Sequence, residues 1–140
     1  MRATNLSDEE FLAAFLDCRM PAAAFDHRGH LRIAWLLLKR LPFDQAIEGI
    51  CNGIARLAVH FGAPDKYNRT MSEALVHVVA QALDKGGPAM TWEEFLDTNT
   101  LLFTDVPGLL ARHYSPERLN SRAAKASFLP PDRLPLPMQS

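Results

Sequence analysis

Cysteine is scarce in this sequence, with only Cys18 and Cys51 among 140 residues. Each sits inside an apolar helical pattern and neither has a CxxC partner, so a disulfide framework, a zinc ribbon and a dithiol redox motif all lack support. Long apolar runs are missing too. The longest, Ile33 to Leu38, stops at Lys39-Arg40, far short of the roughly 20 residues that span a bilayer. Neither sign of charge is in excess: 15 basic residues face 16 acidic ones, for a net charge of −1. A nucleic-acid partner, which would call for a basic stripe, is therefore not expected. The phosphate cradles GxGxxG and GxxxxGK[ST] are absent, which removes the usual nucleotide signatures. No Asn-Gly or Asp-Gly turn occurs and no stretch keeps period two for long, so hairpins have no signal. The opening MRATNLSDEEF places acids where a signal peptide would be apolar, and a cytoplasmic protein with no membrane partner is expected.

What is present is helix after helix, with explicit start and stop signals. Ser7-Asp8-Glu9-Glu10 forms a capping box ahead of a stripe of Phe11, Phe15 and Leu16, and Met20-Pro21 is expected to end that helix. A second helix is predicted from Asp26 to Leu41, closed by Pro42, and a third from Asp44 to Phe61 with Gly62 as its C′ residue. Thr70 and Glu73 read as a second capping box for a fourth helix, which runs to Leu83 before the breaker Gly86-Gly87-Pro88. Thr91-Trp92-Glu93-Glu94 opens a fifth by the same device. Pro107 to Tyr114 is a short sixth, and Ser115-Pro116-Glu117 has the form of an N-cap with proline at N1. The tail LPPDRLPLPMQS cannot be regular helix. The fold expected is all-α: one helical-bundle domain over residues 1–128, with four main helices and short C-terminal ones. An extended Pro-rich tail, 129–140, would pack on the bundle or stay disordered.

Two histidines stand out. On a helical wheel His27 and His30 share a side with Leu31, Ala34, Leu37, Leu38 and Leu41, whereas Arg28, Arg32, Lys39 and Arg40 share the other. A buried ring without a partner costs about 1–3 kcal/mol, so each imidazole is expected to meet a hydrogen-bond partner, a water or a metal. One reading is a pair of satisfied structural histidines near a helix start. The other is a two-histidine platform for a metal or for acid–base chemistry, since rings at i and i+3 point the same way. The fourth helix carries one narrow polar line, Thr70, Glu73, His77 and Gln81, on an otherwise apolar cylinder. That line is either a solvent-facing strip or the wall of a pocket. Glu73 and His77 are spaced to hydrogen-bond as a base and its orienter would.

FDHRGHLRIAW, HFGAPDKYNRTMSEA and HYSPERLNSRAAKASFLPPDRLPLP together resemble a family of small all-helical bacterial proteins. Its pattern is F-x-H-x-x-H-L, then Y-H-x-T-x-T, then Y-S and a P-D-x-x-P-L-P tail, and the likeness covers most of the chain from Phe25 onward. The resemblance implies that His27, His30, the Tyr67 to Ser72 segment and Tyr114-Ser115 gather around one pocket. Asn68 stands where a histidine is common, and Ser72 keeps the hydroxyl of a threonine. An amide oxygen is a poor ligand for zinc or iron. A divalent metal on His27 and His30 would then need Glu73, His77 or His60 as a third ligand; two histidines with a carboxylate form the facial triad of non-haem iron.

Three functional readings follow. In the enzymatic one, His27, His30 and Glu73 carry acid–base or metal-assisted chemistry on a small molecule, and Tyr67, Asn68, Thr70, His77 and Tyr114 bind it. In the second, the same groups orient a small-molecule ligand that is not transformed. In the third, the motif only holds the loop and the tail, a task that suits asparagine and threonine at turns and caps.

Overall fold

The computed structural model describes residues 7–20, 25, 27–86 and 90–137. Among them the chain is all-helical: nine α-helices, one 3-10 turn and no strand. None of these helices is long and apolar enough to cross a membrane. Sequence reasoning places its one boundary at 128/129; by packing, the chain divides into two compact units, residues 1–67 and 68–140.

The first unit is built from α1 (Asp8–Leu16), α2 (His27–Arg40), α3 (Phe43–His60) and the 3-10 turn Pro64–Lys66. The Ser7 capping box forms as expected, Ser7 and Glu10 each accepting the other's backbone N–H. The acids of this first turn, favourable at a helix N-terminus, also reach the basic side of α2. Asp8 binds the Arg32 guanidinium at 2.9 Å and Glu9 pairs with Arg40. Arg32 in turn lies 4.5 Å over the Phe11 ring, a cation–π contact. On α2 the apolar residues are buried nearly all round, from Leu31 through Leu37 with Arg32 half-buried, which makes α2 the central helix of the unit. Phe15 seats on α3 at Gly53, where a Cβ would overlap its ring.

α1 ends four residues before the expected Met20-Pro21 break, and Pro21 lies outside the described residues. Its stop is Cys18, held at φ 56 so that Arg19 N–H bonds Ala14 O and Cys18 N–H bonds Phe15 O. That is a Schellman closure with cysteine where glycine is usual. α3 closes the same way with the expected residue. Gly62 at φ 75 lets Ala63 N–H reach Ala58 O and Gly62 N–H reach Val59 O.

The second unit comprises α4 (Arg69–Gly86), α5 (Trp92–Thr98), α6 (Thr100–Thr104), α7 (Val106–Ala111), α8 (Pro116–Leu119) and α9 (Arg122–Ala126). A non-helical segment, residues 127–137, follows. The Thr91 capping box and the Ser115 N-cap with Pro116 at N1 form as expected. The capping box expected at Thr70 and Glu73 does not. α4 begins one residue before Thr70, and the Asn68 side chain accepts the Met71 N–H at 2.9 Å. Asparagine caps at least as well as threonine, and the Thr70 hydroxyl is drawn elsewhere. Ala74, Leu110, Tyr114 and Leu119 form a core cluster in this unit, with Met71, Val106 and Leu136 packed against it.

Candidate functional site

The polar residues singled out on α4 and after α7 converge on the segment 127–137 of their own unit. Thr70 is fully buried; its hydroxyl donates to Ser127 O at 2.8 Å and accepts the Leu129 N–H at 3.0 Å. The Asn68 amide, while its oxygen caps α4, donates to Leu119 O at 2.8 Å. Tyr114, 1% exposed, donates its phenol to Leu129 O at 2.7 Å. Burial disfavours the phenolate, and the Tyr114 hydroxyl is pushed up to about 12.

Two histidines join from either side. His77 Nδ1 lies 3.1 Å from Pro137 O and His113 Nδ1 3.0 Å from Leu134 O. A carbonyl oxygen only accepts, so both rings must carry the proton on Nδ1. Arg118 Nε donates to Pro130 O at 2.6 Å. Backbone pairing adds Arg133 N–H to His113 O and Leu134 N–H to Arg112 O. Asp132 closes the set: its carboxylate accepts the Ser115 N–H at 2.8 Å and the Ser115 hydroxyl at 2.6 Å. The segment is therefore held as a strap across α4, α7 and the start of α8.

Prolines give the strap carbonyls but no N–H. The body supplies donors to match: a hydroxyl, a phenol, two imidazoles and a guanidinium.

The Ser115 bonds hold the Asp132 carboxyl below the usual carboxylate range, the side-chain bond more than the backbone one. A carboxyl whose folded value is depressed adds its stability above its unfolded value and loses it as pH falls through the folded one. The strap is expected to loosen in acid, below about pH 4. The resonances of the Ser115 and Leu134 amides, followed against pH, should shift together there, and Asp132→Asn should abolish that step.

Other sequence-derived candidates fall differently. His27 is exposed, correcting the expectation that both rings turn inward. His30 is half-buried, its ring 4.3 Å from that of Phe25. Glu73, expected to hydrogen-bond His77, pairs with Arg69 one turn back, both side chains largely buried. The polar line on α4 thus runs from buried Thr70, through half-buried Glu73 and His77, to exposed Gln81. Tyr67 is half-buried and follows the 3-10 turn, its N–H on Pro64 O. His60 is exposed at the end of α3. Among the described residues no three His, Cys, Asp or Glu side chains lie together as metal ligands would. The facial triad expected on His27 and His30 with Glu73, His77 or His60 is not assembled among them.

Sequence reasoning missed His113, Arg118 and Asp132. The signal for Asp132 is the P-D-x-x-P-L-P spacing, which carries no partner; His113 reads as a helix-end histidine favoured by the dipole, and Arg118 carries no signal.

Comparison with known protein families, with curated proteins and with solved structures gives no match.

Proposed function

We propose that this protein is a non-catalytic interaction module whose polar motif grips an extended, proline-rich segment. One observation carries the reading. Asn68, Thr70, His77 and Tyr114, four of the five residues expected to bind a substrate, each bond backbone of residues 119–137. Groups committed to backbone carbonyls of their own chain are matched to peptide, and Glu73, the carboxylate expected to carry acid–base chemistry, is paired with Arg69 instead.

The test is amide hydrogen exchange. Leu129, Arg133 and Leu134 should be protected, and Thr70→Val should release Leu129 at once. Loss of that hydroxyl removes two part-buried hydrogen bonds, a cost of about 0.5–1.5 kcal/mol for each. Wild-type strap amides exchanging as fast as unstructured peptide would sink the reading.

The enzymatic reading survives at one place. His27 is exposed and His30 is half-buried one turn on, an arrangement open to a small substrate. It predicts that His27→Ala abolishes turnover of some small molecule while leaving the melting temperature within a degree or two of the parent. A variant library screen in which His27→Ala and the parent always behave alike removes it.

A further inference from the structure

We infer that the seat of the strap is a peptide groove open to a partner in trans, and that the ligand is an extended proline-rich segment of another protein carrying one aspartate. The inference rests on the interaction-module reading and adds to it the partner's chemistry. Much of the strap is exposed. Pro130, Asp132, Arg133, Leu134 and Pro135 are all exposed, Leu134 to 62%, and the apolar residues that do pack, Leu136 against the Tyr114 cluster among them, are only part-buried. Exposed hydrogen bonds contribute about 0.5–1.5 kcal/mol each, against about 1–2 kcal/mol of backbone entropy for each residue fixed. The bonds, with the Leu136 contact, exceed that cost by a small margin, so the strap is seated but displaceable.

The groove also reads more than backbone. Ser115 presents an N–H and a hydroxyl to a single carboxylate, a charge-assisted pair that fixes register. The apolar residue four positions later enters the cluster of Leu110, Tyr114 and Leu119. Recognition therefore demands the spacing P-P-D-x-x-P-L-P or a close relative, with carbonyls offered to Arg118, His113 and His77 in turn. A second copy of this chain could offer the same segment. It would have to open two straps to gain identical contacts, and it would lose the intramolecular advantage of millimolar effective concentration. A foreign segment that is already unseated has only one strap to displace.

The experiment titrates a fluorescent peptide, FLPPDRLPLP, into the full-length protein and into its Asp132→Ala variant, whose altered residue is exposed and whose groove is untouched. The variant should bind at least ten-fold more tightly than wild type, saturably, and a peptide with asparagine for the aspartate should lose at least five-fold. In wild type, millimolar peptide should speed exchange of the native Arg133 and Leu134 amides, a readout that needs no variant. Equal affinity of both proteins, indifference to the aspartate, or unchanged strap exchange under excess peptide would each overturn the inference. Protected strap amides with no trans binding would defeat it alone, leaving the interaction-module reading standing. A concentration-dependent dimer formed by the Asp132→Ala variant, with no peptide bound, would show exchange between copies and overturn the foreign partner.

Discussion

Tyr114→Ala should cost about 3–5 kcal/mol, the range for emptying an aromatic site in a core, and should unseat the strap in the same step. Its ring is 1% exposed and belongs to the cluster of Ala74, Leu110 and Leu119, onto which Leu136 folds from the strap. Its hydroxyl holds Leu129 O at 2.7 Å. Removing the ring therefore takes away both the floor under Leu136 and the phenol that anchors the strap's first turn. Tyr114→Phe separates these contributions, keeping the floor and losing only about 1 kcal/mol for one hydrogen bond. Urea denaturation monitored by circular dichroism gives both values. Equal losses for Phe and Ala would mean that the hydroxyl, not the packing, decides.

The same residue sets an alkaline limit. Its folded value of about 12 lies above the ordinary tyrosine value, because burial disfavours the phenolate. A group raised on folding contributes its stability fully below its unfolded value and loses it as pH climbs through the folded one. Stability should decline between about pH 10 and 12, and Tyr114→Phe should remove that part of the decline.

How much of this could be read from the chain depends on sequence distance. Ser7, Thr91 and Ser115 cap helices by bonding groups three residues away, and each was legible because the whole interaction lies in one short window. Gly62 was legible for the same reason. The cap of α4 was misread: Asn68 and Thr70 are both good capping residues, and local spacing cannot choose between them. The choice is made by Ser127 and Leu129, 57 and 59 positions away from Thr70. His27 is exposed although it shares a side with Leu31 and Ala34 on the helical wheel, because a wheel marks direction around the helix and not what packs at each level along it. Short helices such as α6 and α9, five residues each, show too little periodicity to be seen at all. The candidate site was thus half visible. The polar donors on α4 and Tyr114 could be named in advance, but their acceptors are mostly backbone carbonyls, which sequence does not mark.

Gly53→Val should be nearly as damaging as loss of Tyr114, and for the opposite reason. Gly53 lies inside α3, where propensity alone would favour alanine by about 1 kcal/mol. It is nevertheless occupied from above: a Cβ there would overlap two atoms of the Phe15 ring and crowd a third. That ring is itself fully buried, 5.8 Å between centroids from Phe25, which lies 6.4 Å from Phe11. A side chain at 53 must displace an aromatic stack rather than a flexible tip, so overpacking of about 3 kcal/mol is expected for valine, at the upper end of the usual range. Alanine should lose less, about 1–2 kcal/mol, because its helix propensity recovers part of the strain. Phe15→Leu in the alanine background supplies the decisive comparison. If the ring is the obstacle, the double variant should be more stable than the sum of the single losses predicts by about 1 kcal/mol or more. Strict additivity would mean that Phe15 yields freely, and the close seating of α1 on α3 would not be what fixes the first unit.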